Sequence, residues 1–434
     1  MSQTNVASGS PQSAVVYGAA LFAQTQKQTG TFRNMVGPKP TASEVDGKLS
    51  KQQSSPGMPI VEILDLTKTA GDKARMDCID VATAKPIMGD RNAEGRGTAL
   101  SFSSADIEID QWTFPVNGGG RMSQQRTVPD LRKLARSTAV GLAARYFEQR
   151  TLIHLAGARG QATGNDWVVP LQFAAGASSG GDADFADIMV NSVLAPTFNR
   201  HYVINGTGLT QGGQQLASIA STDDLNLAHI DQLRNIIDNL DLSLQPVKIA
   251  DDPAANDDPM WVMLCPSNVY SQLLTEGAIR SFQQYAVNRA AYGSKHPLFR
   301  GEVGMWNGIL VKKMNRSIRF LPSDYCKIIT SANAATATET AQQINSGLTS
   351  GYAVERCILM GAQALANAYG KDSSSGSPYS WGEEWHNFKR EPEFAVFGIE
   401  GSTKVRFNVP NASGVKIPTD HGVIVLDVAA KQSV

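Results

Sequence analysis

The residues best suited to chemistry in this chain gather around its glycines. "GGRMSQQRTVPDLRKLAR", residues 119–136, sets two glycines and four arginines at the entrance of a long helical pattern. A helix N-terminus beside Arg121 and Arg126 is a natural anion cradle, so the stretch reads either as a phosphate-binding turn or as a mechanical joint. A nucleotide-binding P-loop ends in Gly-Lys-Ser or Gly-Lys-Thr, whereas Gly47-Lys48 and Gly370-Lys371 run on into Leu49 and Asp372. "NGTGLTQGG" (205–213) spaces its glycines one residue too far for a dinucleotide turn. "GASSG" (176–180) matches the nucleophile-elbow pattern around Ser178 but sits in a Gly/Ser run rather than between a strand and a helix. The six histidines show no paired spacing, "GDADFAD" and "DDPAANDD" lack the glycine and distal glutamate of a calcium loop, and Cys78, Cys265, Cys326 and Cys357 form no C-x-x-C pair. No catalytic, metal or cofactor-binding residue is assigned, and no cofactor is expected.

The elements around these residues suggest mechanics. With 434 residues the chain is long enough for two or three units. Charged residues make up only 18%, and 39 Lys and Arg against 40 Asp and Glu leave a net charge of -1. That balance opposes a protein that reads or grips nucleic acid through phosphates, and the low charge implies that much of the surface meets something other than water. The N-terminus has no basic region followed by an apolar core, and no apolar run reaches membrane-span length, so cytosolic synthesis and no membrane partner are expected.

Residues 1–58 are polar and Gly/Pro-rich, which predicts an arm ordered by a neighbour. "IVEILDL" (60–66) and "KARMDCIDVAT" (73–83) read as strands, as does "ALSFSSADIEIDQWTFPV", whose apolar phase shifts near Gln111 as though at a bulge. Between them lies a polar, Gly-rich tip (86–99) with Asp90, Arg91, Glu94 and Arg96. A long two-stranded hairpin cannot stand alone in water, so it needs another surface.

After Gly119 and Gly120 a helix of about 30 residues, roughly 45 Å, is predicted to start at a Thr127 cap with Pro129 in its first turn and to stop at Gly157. Its core face is assigned to Leu131, Leu134, Leu142, Tyr146 and Ile153, so that a charge at Leu134 is expected to block folding. Residues 161–221 read as a loose excursion. A second helix follows, capped by Ser221 or Thr222, and then "PVKIA", "MWVMLC", "NGILVKKM", "YCKIIT", "RCILMG", "EFAVFGIEG", "TKVRFNV" and "GVIVLDVA" as strands. This is α+β order.

"GGRMSQQRTVPDLRKLAR", "LAGARG" (155–160), "HPLFRGEVGMWNGILVKKM" (296–314) and "LMGAQALANAYGK" (359–371), with "GDRNAEGRGTALSF" (89–102), "WGEEWHNF" and "HGVIVLDVA", resemble in the same order the major capsid proteins of a family of short-tailed, podovirus-type bacteriophages. The resemblance implies an HK97-like fold: an N-terminal arm (1–58), a strand and extended E-loop hairpin (59–117), a peripheral domain with a long spine helix (118–160), a mainly axial domain (161–380) and C-terminal strands returning to the peripheral and axial sheet (381–434). It implies a structural protein of the virion, not an enzyme, that self-assembles in the host bacterial cytoplasm as hexamers and pentamers of an icosahedral head. Its implied partners are a separate scaffolding protein, a portal protein and packaged double-stranded DNA touched non-specifically, with room for a decoration protein. On this reading Gly119, Gly120, Arg121 and Arg126 form the joint from E-loop to spine. Asp90, Arg91, Glu94 and Arg96 form the inter-subunit tip, whose segment 86–99 has no lysine for a covalent crosslink. The alternative is a cytosolic α/β enzyme with an unrecognised active site.

Overall fold

Apolar runs long enough to be covered on both faces set this architecture. The computed structural model describes residues 32, 35–38, 54–67, 70–79, 86–89, 92, 94, 97, 102–121, 123, 131–162, 166–173, 181–248, 259–275, 302–331, 337–373, 375–410 and 415–432. The strands are β1 (Ile60–Ile63), β2 (Lys73–Ile79), β3 (Phe102–Glu108), β4 (Asp110–Asn117), β5 (His201–Asn205), β6 (Gly208–Gln211), β7 (Trp261–Pro266), β8 (Glu302–Trp306), β9 (Ile309–Met314) and β10 (Arg319–Phe320). They continue as β11 (Tyr325–Ile329), β12 (Glu339–Gln343), β13 (Tyr352–Met360), β14 (Leu365–Tyr369), β15 (Tyr379–His386), β16 (Glu391–Lys404), β17 (Arg406–Pro410), β18 (Lys416–Asp420) and β19 (Val423–Lys431). The helices are α1 (Leu131–Ala156), α2 (Ala183–Asp187), α3 (Leu227–Asp238) and α4 (Ser267–Thr275).

Two sheets carry the body. One has eight strands in the order β6-β5-β19-β13-β7-β9-β8, with β10 paired to β13. Its central strands feed two cores at once: Val262 and Leu264 of β7 and Val425 of β19 face one, while Met263, Cys265 and Leu426 face the other, under α3 and α4. Such strands show no polar alternation because neither face meets water. The second sheet has five strands, β1-β14-β16-β15 with β4 on β16. Phe32 and Met35 lie buried in the larger core, and Val36 bridges Ile60 in parallel; apart from these and Gly37 and Pro38, segment 1–53 lies outside the described residues.

Helix α1 joins the two sheets. Ala139, Val140 and Ala143 pack beside Trp112, Phe114 and Val396 of the five-stranded sheet, while Leu152, Ile153 and Ala156 enter the larger core. Small residues let the first half approach a sheet surface crowded with aromatic rings. Gly157 ends the helix as its sequence position predicts: at φ 69° its N–H bonds Ile153 O at 2.8 Å, and a Cβ there would lie 2.6 Å from Leu194 O.

Several expectations change. Leu134 is 48% exposed, and Leu131 and Leu142 are only half-buried, because the face turned to the sheet is the alanine line 135, 139 and 143. Tyr146 and Ile153 are buried. The phase shift lies where expected, with Asp110 and Gln111 both exposed, but a change of partner rather than a bulge makes it: β3 pairs with β2, and β4 pairs with β16 in continuous register. The cap of α3 is Asn226, whose side chain accepts from His229 N while His229 Nδ1 accepts from Asn226 N. Within 161–221, β5 is buried except at Asn205 and pairs in parallel with β19. Residues 246–248 of "PVKIA" form no strand, though Val247 N donates to Met260 O.

Leu134→Asp is therefore expected to shift the subunit's stability by no more than about 0.5 kcal/mol, whereas Ala143→Asp places an unpaired carboxylate at a 1%-exposed site and blocks soluble folding. Circular dichroism melts of both purified variants check this.

Candidate assembly surfaces and the ion network behind them

The glycine-arginine stretch is a close-packed bend. Gly118 N donates to Pro392 O at 2.8 Å, and a Cβ on Gly118 would meet that same oxygen at 3.1 Å. Gly119 takes φ 75°, and its N–H donates to Asn117 Oδ1 at 2.7 Å. Gly120 is half-buried next in line, and exposed Arg121 reaches back to donate to Lys389 O at 3.2 Å. Gly118 N–H and Gly119 N–H thus each have an internal acceptor. Arg126 and the expected Thr127 cap lie outside the described residues.

The β2–β3 ribbon is held by cross-strand pairs. Lys73 Nζ meets Glu108 Oε1 at 2.5 Å, and Arg75 grips both oxygens of Asp106 at 2.7 and 3.0 Å. Each pair is directly opposite in register, the geometry in which opposite charges favour pairing. The hydrogen bond from Arg75 lowers the Asp106 pKa, and the bond to Glu108 raises that of Lys73. On the ribbon's other face Ala74 and Ile107 are buried with Phe407 and Val405. Farther out, Met88 is exposed and Glu94 N donates to Asn92 Oδ1, closing a small turn with the Glu94 side chain in solvent. Asp90, Arg91 and Arg96 lie outside the described residues, so of the four tip charges only Glu94 is placed.

Behind these surfaces runs a buried network of charges. Arg150 of α1 pairs with Glu400 of β16 at 2.8 Å; Glu400 also accepts from Trp112 Nε1 of β4 at 3.1 Å and from Tyr379 OH of β15. Burial opposes the Arg150 charge, but Glu400, Tyr146 and Tyr379 outweigh it and raise its pKa. Arg356 of β13 holds both oxygens of Asp427 of β19 at 2.7 and 2.8 Å, and its third nitrogen donates to Ala156 O, the end of α1, at 2.8 Å. His201 Nε2 lies 2.7 Å from Asp427 Oδ2. Burial raises the Asp427 pKa, but Arg356 and then His201 more than reverse this and hold it well below the usual carboxylate range. Asp420 gathers Lys404 Nζ at 2.9 Å, Arg406 Nε at 2.7 Å and Thr197 N at 3.1 Å.

Chemically this arrangement pairs buried charges across separate elements of the fold. Its acids are engaged by cations, and among the described residues no group of three His, Cys, Asp or Glu is placed to hold a metal. Sequence reasoning missed Arg150, Arg356, Glu400 and Asp427. The signal was present as lone charges inside apolar runs, Asp427 in "VIVLDVAA" and Glu400 in "FGIEG"; a charge where neither strand face meets water has to be paired.

Arg356→Met leaves buried Asp427 with His201 but without its guanidinium partner, and is expected to cost about 3–5 kcal/mol in urea unfolding; adding Asp427→Leu recovers part of that loss. Burial, with Arg150 and Lys404 nearby, pushes His154 down to about 3, and burial beside Arg200 pushes His421 down to about 4. Between these values and the ordinary 6.5 the unfolded chain takes up protons that the folded chain refuses, so stability is full above pH 6.5 and falls on acidification. At pH 5 the loss is about 2 kcal/mol for each histidine; a flat urea midpoint from pH 7.5 to 5 would contradict it.

Solved phage shells share this fold. The capsid of Ralstonia phage GP4 aligns over 92% of this chain and 96% of its own at TM-score 0.66 and 24% identity. The cyanophage Pam1 capsid aligns over 91% and 99% at TM-score 0.58 and 16% identity. The capsid of Helicobacter pylori bacteriophage KHP30 aligns over 91% and 95% at TM-score 0.52 and 11% identity. At these identities the likeness is one of fold, and no curated protein matches the sequence. A family model described as phage capsid protein matches residues 5–432, and with nearly the whole chain covered the protein belongs to the phage capsid protein family, as a structural major capsid protein.

Proposed function

We propose that copies of this chain, arranged as hexamers and pentamers, tile the icosahedral head of a short-tailed phage and retain packaged double-stranded DNA without performing catalysis or needing a cofactor. The observation that carries this reading is the family match from residue 5 to residue 432. The net charge of -1 fits a container filled by an external motor, since a shell that drew in DNA by charge would need a basic excess. Assembly in the host cytoplasm on a separate scaffolding protein, around a portal and with room for a decoration protein, completes the proposal.

Within it, residues 1–58 serve as the arm, 59–117 as the strand and E-loop, 118–160 as the peripheral domain with its spine, 161–380 mainly as the axial domain, and 381–434 as returning strands. The β2–β3 ribbon supports the E-loop assignment. It is two-stranded, its ion pairs are solvent-exposed, and the sequence between its two strands holds the polar, Gly-rich segment 86–99. Asp90, Arg91, Glu94 and Arg96 would then face a neighbouring copy, with Gly119, Gly120, Arg121 and Arg126 turning the chain into the spine.

Replacing residues 89–97 by a short Gly-Ser turn is expected to leave the subunit's melting temperature unchanged and to abolish shells when the protein is co-produced with its scaffold. Gradient sedimentation and electron microscopy read the outcome. Normal shells would show that the tip makes no needed contact, and a collapsed melting temperature would place it in the subunit core.

A further inference from the structure

Cys265 and Cys357 stand far apart in the chain and show no motif spacing, yet the eight-stranded sheet sets them side by side. Strand β13 runs antiparallel to β7 with Met360 opposite Val262, Leu359 opposite Met263 and Ile358 opposite Leu264. The next step of that register sets Cys357 opposite Cys265. Directly opposed residues of an antiparallel pair have Cα atoms about 4.5–5.5 Å apart, inside the roughly 4.4–6.8 Å that a disulfide spans. Both side chains are wholly buried in the core under α3 and α4, and their thiols hydrogen-bond each other. The pair also marks the place where β13 changes partner, since Glu355 and Val354 pair with β10 rather than with β7.

We propose that Cys265 and Cys357 are a modification site, a thiol pair that a peroxide converts into a cross-strand disulfide tying β7 to β13. One thiol, as its thiolate, takes an oxygen atom from hydrogen peroxide and becomes a sulfenic acid, while the other oxygen leaves as water. The second thiol attacks that sulfur, the S–S bond forms, and the sulfenic hydroxyl departs with the second thiol's proton as another water. Two thiols and one peroxide give one disulfide and two waters, with both electrons passing into the broken O–O bond. A peroxide is the oxidant because it is little larger than water, whereas a bulky disulfide such as oxidised glutathione does not reach sulfurs without exposure. The hydrogen bond with Cys265, and then burial, raise the Cys357 pKa well above its ordinary value, so its thiolate is scarce and the reaction is slow. Cys326 is equally buried, but it is the one cysteine of the other core, where Arg356 donates to its sulfur at 3.2 Å. The inference stands apart from the shell reading, because the bond forms within one subunit.

The test is to hold the purified full-length protein in hydrogen peroxide at neutral pH, quench it, and alkylate it in urea before proteolysis. Mass spectrometry is expected to find a linked pair of peptides carrying Cys265 and Cys357, lighter by two hydrogens than the two apart, with Cys326 alkylated. Cys265 and Cys357 both alkylated, after a treatment that oxidises the half-exposed Cys78, would overturn the proposal. So would a link from either to a different cysteine, or sulfinic acids in place of the link. The disulfide closes a loop of about 90 residues and removes freedom from the unfolded chain. Oxidised protein is therefore expected to unfold at a higher urea concentration than reduced protein, and dithiothreitol to reverse the shift. Cys357→Ala should show neither the link nor the shift; a shift that persists in this variant would assign the effect to another oxidation and overturn the tie.

Discussion

One side chain fixes how the parts of this subunit sit together. Arg356, on the eight-stranded sheet, spends two nitrogens on Asp427 of the neighbouring strand and a third on the carbonyl that ends α1. The terminal carbonyls of a helix lack intrahelical donors and carry the negative end of its dipole, so a buried guanidinium there satisfies hydrogen bonding and charge together. The first half of the same helix lies on the five-stranded sheet, and Arg150 in its second half ties the helix to Glu400 of that sheet. A single rigid rod is thus bonded to both sheets by directional, charge-assisted contacts. Apolar packing alone would stabilise the pair of sheets without specifying their angle so narrowly.

The surfaces lie at the far ends of elements anchored in this way. The ribbon leaves the body where Ile109 N donates to Asp72 O and Asn191 bonds both N and O of Glu108. The joint of Gly118 and Gly119 lies against Pro392, at the opposite end of β16 from Lys404 and the Asp420 cluster. Rigid anchorage near the middle lets small side chains at the tips keep fixed positions, which is what a contact repeated around a closed shell requires.

Much of this was legible in the sequence, for identifiable reasons. The apolar segment "EFAVFGIEG" appears within β16, and the run "GVIVLDVA", apolar but for Asp427, appears as a strand covered on both faces. Gly157 was readable because its conformation is local. Leu134 was not, since helical spacing identifies a stripe without saying which edge of it meets the partner; the sheet's aromatic rings selected the alanine line instead. The Asn226 cap was hidden because Ser221, Thr222 and Asn226 are all good cap residues, and His229 decided among them. Partners such as Glu400 for Arg150 stand 250 positions apart, and no local pattern reports such a pairing.

The burial of charge also changes how the surface should be viewed. Arg150, Arg159, Arg200, Arg356, Lys404, Glu355, Glu400, Asp420 and Asp427 are all buried, so a chain already low in charge shows solvent fewer charges than its composition suggests. Bringing two such surfaces together strips less water from ions and incurs less desolvation. The charges left outside, such as those on the ribbon, then act mainly by choosing partner and register, because opposing like charges penalise the wrong alignment more than a single exposed pair rewards the right one. A subunit that puts its strong ionic bonds inside leaves outside only exposed pairs that are individually weak.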